Sequence, residues 1–261
     1  MVIKEQQGRV RILRLANPPA NILTTSLLGV LKGEIELAGR DPSVRCLMLA
    51  SSYPRYFSTG LDLGEVISLP PERRGEVFGA LFATYHALGA FPKPTLAAIG
   101  GSAILGGWIL AMACDFRLLA EGTGRIALSE IRMGLSPGSE LIARLSRISS
   151  SPTLVKEMVL RGRTLRADEA LVGGFVDRLV PAEALEEESL KEARHLAKLP
   201  HGAYASVKRS LWGFAPGGDV LSPETLDEFH NLLASPEAQE GVLAMREKRR
   251  PRFSGDDKEA D

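Results

Sequence analysis

The chain has 261 residues, 44% hydrophobic and 25% charged, and its 32 basic side chains cancel 32 acidic ones. This composition excludes a collagen, a coiled coil, a disordered chain and a disulfide-built mini-protein. Zero net charge argues against a surface made mainly for nucleic acid or anionic membrane, though not against a local patch.

The length predicts one to two domains. Arg9–Leu15 alternates polar and apolar residues, as a half-buried strand does, and Asn17-Pro18-Pro19-Ala20-Asn21 breaks it. Ser26–Leu37 has helical apolar spacing (Leu27, Leu28, Leu31, Ile35), with Thr24, Thr25 or Ser26 as N-cap and Asp41-Pro42 as stop. Val44–Leu49 is a short apolar run suited to a strand covered on both faces. Ser51–Gly60 reads as loop, and Thr84–Leu88 closes a further helix. Pro94–Cys114 carries no charge over 21 residues, which is long enough to cross a bilayer. Its glycines at 100, 101, 106 and 107 instead predict a buried strand (Thr95–Ile99), a glycine turn and a buried helix (Gly106–Cys114). Phe116–Ala120 and Arg125–Leu128 read as strands, so alternation through Val180 predicts α/β with mostly parallel pairing.

After Pro181 the pattern is helical. Helices are expected over Ala184–Leu199, Tyr204–Leu211 and Glu224–Leu233, with a joint at Ala215–Gly218 and a disordered acidic tail at Ser254–Asp261. Cys46 and Cys114 sit in apolar runs and read as buried free thiols. The N-terminus lacks the apolar core of a secretory signal and the C-terminus carries no retention or peroxisomal address, so the expectation is cytoplasmic.

Most catalytic motifs fail. Gly101 and Gly106 are spaced as in a P-loop, but Gly107-Trp108 follows where Lys-Ser/Thr is needed. Ser136 is not in a nucleophile elbow. His86, His195, His201 and His230 have no partner at i+3 or i+4, so no metal site is expected, and each reads as a surface or helix-packing residue. Two glycine turns remain, Phe57–Leu63 and Gly100–Gly107. Each reads either as tight helix-on-strand packing or as a source of free N–H groups able to polarise a carbonyl. Glu130, among the apolar residues of Ile126–Leu135, reads as a solvated glutamate in the first turn of a helix, as a salt-bridge partner of Arg132, or as an acid/base.

Several linked stretches together carry a resemblance. They are Phe57-Ser58-Thr59-Gly60-Leu61-Asp62-Leu63, then Leu96–Gly101 through Gly106-Gly107 to Leu110–Asp115, then Ser129-Glu130 with Gly134 and Pro137-Gly138. Val159–Gly162, Ala167 to Ala170, Gly174–Asp177, Glu240-Gly241 and Glu247–Phe253 follow in order. From residue 5 to 255 the chain resembles the crotonase superfamily, the enoyl-CoA hydratase/isomerase family.

The resemblance implies a spiral of ββα turns over 1–195 and a C-terminal α-helical trimerisation region over 196–261. It implies an acyl-CoA thioester as substrate and partner, no further cofactor, and a homotrimer or a dimer of trimers. The thioester oxygen is expected on the backbone N–H groups of Leu61 and Gly106. Ala20, Ser58, Thr59, Gly60, Asp62, Leu63, Gly107, Trp108, Ile109 and Pro137 are expected around the substrate.

The sequence departs from the family pattern at two places. Hydratases of the family use two glutamates; the first position holds Ile109 here and the second holds Glu130. A single carboxylate beside Ile109 and Trp108 is the pattern of Δ3,Δ2-enoyl-CoA isomerases, in which one base moves a proton from C2 to C4. The usual small residues after Pro-Gly are replaced by Ser139-Glu140. Glu140 reads as a first-turn acid on its helix dipole, as an i+4 partner of Arg144, or as a surrogate second acid that reopens hydration or another lyase or hydrolase reaction. A catalytically weak binding subunit is a third possibility, but the Arg246–Arg252 basic run is too short to imply nucleic acid. Trp108, Phe78, Phe82 and Ile131 are the candidates for bounding the acyl tail.

Overall fold

The two longest apolar runs become the centre of the molecule. In a computed structural model, which describes residues 1–213, 231–247 and 249–252, β1 (Val2–Gln7), β2 (Val10–Leu15), α1 (Thr25–Arg40), β3 (Cys46–Ser51), β4 (Tyr56–Ser58), α2 (Leu63–Ser68) and α3 (Gly75–Gly89) come first. Then follow β5 (Thr95–Ile99), β6 (Ser102–Ile104), α4 (Gly106–Ala113), β7 (Phe116–Ala120), β8 (Arg125–Ala127), α5 (Ser139–Ile148) and α6 (Pro152–Arg161). The chain continues through β9 (Leu165–Arg166), α7 (Ala167–Val172), β10 (Arg178–Val180), α8 (Leu185–Leu196), α9 (His201–Trp212) and α10 (Pro236–Arg246).

One sheet has the order β1-β2-β3-β5-β7-β10, the other β4-β6-β8-β9. Each turn of chain therefore gives one strand to each sheet (β3 and β4, β5 and β6, β7 and β8) before helices return it. This is the spiral of ββα turns. Pairing is parallel except for β1 with β2 and β8 with β9. β5 is buried at every position, as a strand covered on both faces must be.

The differences from the sequence reading have local causes. Tyr56–Ser58 and Ser102–Ile104, expected as loop and glycine turn, are strands. Three residues are too short to show alternation. β1 was not expected because its side chains are mostly exposed and polar. Helix α1 runs to Arg40, with Thr24 as its cap through a side chain accepting from the Leu27 N–H. The helix expected at Thr84–Leu88 is the end of the longer α3. The uncharged Pro94–Cys114 stretch splits into β5, β6 and α4, and no helix among the described residues is long and apolar enough to cross a membrane. Residues 231–234 are helical, but the rest of the expected Glu224–Leu233 helix, the Ala215–Gly218 joint and the tail lie outside the described residues.

Both cysteines are buried and free, and burial pushes the Cys114 thiol up to about 12, far from thiolate reactivity. Asp115 ties the helical layer to the sheet. Its Oδ2 accepts from the Thr95 N–H (2.9 Å), the Tyr204 hydroxyl (3.0 Å) and the buried Lys208 ammonium (3.0 Å). It holds α9 against β5.

Candidate active site

Three segments meet at one end of the spiral. The first is the turn after β4. Asn21 fixes it by donating to the Phe57 carbonyl (3.0 Å), Ser58 Oγ donates to the Asn21 carbonyl (2.7 Å), and the Thr59 N–H reaches the Ala20 carbonyl (3.3 Å). Gly60 has φ +95°, a conformation that L side chains rarely adopt. A parallel bridge joins Leu61 to Leu23. It uses the Gly60 carbonyl and the Asp62 N–H, which leaves the Leu61 N–H unused. Asp62 caps α2, accepting from Gly64 and Glu65.

The second segment opens α4. Leu105 precedes it at φ 51°, ψ −123°, a strained conformation for leucine, held by its N–H donating to the Ala127 carbonyl (2.8 Å). Gly106 is the first helical residue, so its N–H has no acceptor within the helix. The two segments touch because Gly107 has no side chain: a Cβ there would lie 2.4 Å from the Ser58 carbonyl oxygen. A Cβ on Gly60 would lie 3.2 Å from the Gly106 nitrogen. The backbone donors of Leu61 and Gly106 thus belong to adjoining turns, and both residues line one cavity.

The third segment is the single helical turn Glu130–Met133. Helix α10 supports it from behind. A Cβ on Gly241 would overlap Met133 at 2.6 Å, so only glycine allows that approach. Arg132 does not pair with Glu130; it packs against Gly162 on the other side.

The cavity between these segments holds about 220 Å³. Its walls are apolar: Leu61, Leu63, Phe78, Leu81, Phe82, Ile109, Met133, Leu135 and Leu141, with Leu232 and Met245 from the C-terminal region. Thr59, Ser129, Ser136 and Pro137 complete the rim. Glu130 is the only titratable side chain among the described residues that line it. It is 9% exposed, and its Oε2 has no hydrogen-bond partner among the described residues. Burial among these apolar groups pushes its pKa up to about 7.

Several expected residues take other places. Trp108 is wholly buried (0% exposed) in the core and does not line the cavity; its neighbour Ile109 does. Phe78 and Phe82 line the cavity, whereas Ile131 is 44% exposed and outside the lining. Ala20, Ser58, Gly60, Asp62 and Gly107 shape the two turns without lining the cavity. Glu140 stands in the first turn of α5 but does not pair with Arg144. Its Oε1 lies 2.6 Å from Nε2 of His86 on α3, and Arg144 donates to the Met112 and Cys114 carbonyls. Leu105, Ser136, Leu232 and Met245 were not anticipated, and nothing in their spacing marks them; Ser129 belongs to the Ser129-Glu130 stretch already singled out.

The raised Glu130 pKa makes a stability prediction. Between pH 4.5 and 7 the unfolded chain has released this proton and the folded chain has not, so folding stability falls as pH rises through that window. Glu130→Gln removes the effect. Relative to the unmodified protein it should gain nothing below pH 4.5 and about 3 kcal/mol above pH 7, at 1.36 kcal/mol per pKa unit. Urea unfolding of both proteins across this pH range measures it, and parallel curves would show that Glu130 titrates normally.

Comparison with known proteins gives a consistent setting. A family model described as enoyl-CoA hydratase/isomerase matches residues 5–256. A probable enoyl-CoA hydratase of Mycobacterium tuberculosis (strain CDC 1551 / Oshkosh) is 31% identical, covering 97% of each chain. The crotonyl-CoA hydratase of Syntrophomonas wolfei is 30% identical, again covering 97% of each. Among solved structures, human mitochondrial delta3-delta2-enoyl-CoA isomerase is similar with a TM-score of 0.89 and 25% identity, over 95% of this chain and 97% of that one.

Proposed function

The chain belongs to the enoyl-CoA hydratase/isomerase family, and from that membership we propose that it moves a double bond from C3 to C2 of an enoyl-CoA. The observation that carries this reading is Glu130, the one buried carboxylate among the described residues that line a mostly apolar cavity, with Ile109 in the same lining.

The thioester oxygen accepts from the Leu61 and Gly106 N–H groups. Glu130 as carboxylate takes a proton from C2. The C–H electron pair moves into the C1–C2 bond and the thioester oxygen takes the charge, giving a dienolate. Such preorganised donors are worth about 2.7–4 kcal/mol each at the barrier. Protonated Glu130 then returns the proton at C4, and the double bond settles between C2 and C3. One group suffices because it ends as it began, and no cofactor enters.

Adding water instead needs a second group to hold and orient it. Ile109 has no polar atom to do so, and Glu140 is engaged with His86 outside the cavity lining. Apolar walls also keep water from the dienolate. The second reading, hydratase, draws on the names of the relatives, which are mostly hydratases. Incubation with a 3-enoyl-CoA and, separately, with crotonyl-CoA separates the two. The isomerase gives a conjugated thioester of unchanged mass from the first and leaves the second unchanged; addition of one water to crotonyl-CoA overturns it.

A further inference from the structure

We propose that His86 and Glu140 form a clamp that sets the depth of the acyl cavity and thereby the chain length the protein accepts. The proposal rests on the acyl-CoA reading above, but not on which product forms.

Phe78, Phe82 and His86 are four residues apart on α3, so they follow one ridge at about 6 Å per step. The first two line the cavity and His86 lies just beyond. On the opposite wall Leu141 lines the cavity, and its chain neighbour Glu140 reaches across to His86 at 2.6 Å. The pair therefore stitches α3 to α5 immediately behind the last aromatic ring. His86 also braces that ring, with its own ring centroid 6.3 Å from that of Phe82 in an edge-on arrangement. The imidazole is mostly shielded, with its side chain 16% exposed, while the Glu140 side chain is 37% exposed. Behind the apolar lining made by Phe82 and Leu141 there stands a hydrogen-bonded polar pair, itself outside that lining.

This arrangement makes substrate length matter in a stepwise way. Each methylene that fits within the apolar walls raises kcat/KM by about fourfold. The first methylene past Phe82 and Leu141 must part the clamp, and losing the hydrogen bond between His86 and Glu140 outweighs what a methylene returns. Residues 86 and 140 act through Phe82 and Leu141, so they position the wall and do not touch the reacting carbons.

The test is a series of straight-chain enoyl-CoAs of increasing length, scored by substrate consumption whichever product appears. The unmodified protein should show kcat/KM rising with length and then breaking. In the double variant His86→Leu with Glu140→Leu the break should move to longer chains, and the long-to-short ratio of kcat/KM should rise about fifteenfold for two added methylenes. Glu140→Gln, which keeps size and a weaker neutral hydrogen bond, should raise the same ratio about fivefold, mainly through KM. It serves also if the double variant fails to fold. A break at unchanged length in Glu140→Gln overturns the clamp. A uniform fall in kcat at every length also overturns it and assigns Glu140 to proton transfer instead. Hydrated products from the unmodified protein would sink the isomerase reading and leave the length profile as a separate result.

Discussion

Glu130→Gln should lower kcat on a 3-enoyl-CoA by about 10²–10⁴-fold while leaving KM within a few fold, since a positioned general acid/base contributes about that much. Glutamine keeps the size and the amide dipole but cannot take the C2 proton. The contacts proposed for the substrate's ground state, to the Leu61 and Gly106 N–H groups and the apolar walls, do not involve residue 130 and stay in place, so KM changes little. The loss cannot be put down to misfolding, because the same substitution removes a buried carboxylate and should stabilise the fold above pH 7. The pH profile gives an independent reading. The base must be ionised to act, and burial holds its pKa at about 7. The rate should therefore climb about tenfold per pH unit in the acid range and level off above neutrality. Glu130→Gln should retain a small, flat residual rate. Stopped absorbance at the conjugated thioester band measures all of these. Retention of the full rate would remove Glu130 from the chemistry altogether.

How far this was legible in the sequence differs from residue to residue. Strand β5 was readable because a strand covered on both faces is a nearly continuous apolar run, and β7 because Arg117 is the one charge in an otherwise apolar stretch. Strands β4, β6 and β9 were not, since two or three residues carry no period and their pairing is decided by neighbouring turns of the spiral. The same limit applies to Trp108 and Ile109. Helix α4 is buried all round, so its sequence marks no preferred face. Only packing sends the indole to the core and Ile109 to the cavity. For Glu140 the i+4 rule pointed to Arg144, but that guanidinium is already used by carbonyls at the end of α4, and a histidine 54 positions earlier takes the carboxylate. Glu130 shows the reverse case. Its sequence surroundings favoured a solvated or salt-bridged glutamate over an acid/base, whereas the fold buries it in the cavity lining and raises its pKa.

The donors opposite Glu130 are backbone groups and cannot be deleted, so their role is tested through the glycine that holds them together. Gly60→Ala should lower kcat/KM by about 10²–10³-fold, the loss expected for one displaced oxyanion donor. A Cβ at Gly60 would meet Leu105 Cβ at 3.0 Å, the Gly106 nitrogen at 3.2 Å and the Ile104 carbonyl oxygen at 3.3 Å. None of these is the free end of a flexible side chain. Leu105 is already strained and held by its bond to Ala127, so the crowding is relieved by parting the two turns. The Leu61 and Gly106 N–H groups then no longer converge on one oxygen. The substitution also forces alanine to φ +95°, which costs on the order of 1–3 kcal/mol of stability on its own. Gly122→Ala separates these effects. Gly122 has φ +70° in the turn between β7 and β8, nothing lies within 4 Å of its Cβ position, and it is not among the residues that line the cavity. It should lose a comparable stability through backbone strain and keep its kcat/KM. A loss of rate confined to Gly60→Ala, with similar urea midpoints for the two variants, places the oxyanion donors in these two turns. A Gly60→Ala protein with kcat/KM within threefold of the unmodified one, well short of the loss expected for a displaced donor, would show that the thioester oxygen is held elsewhere.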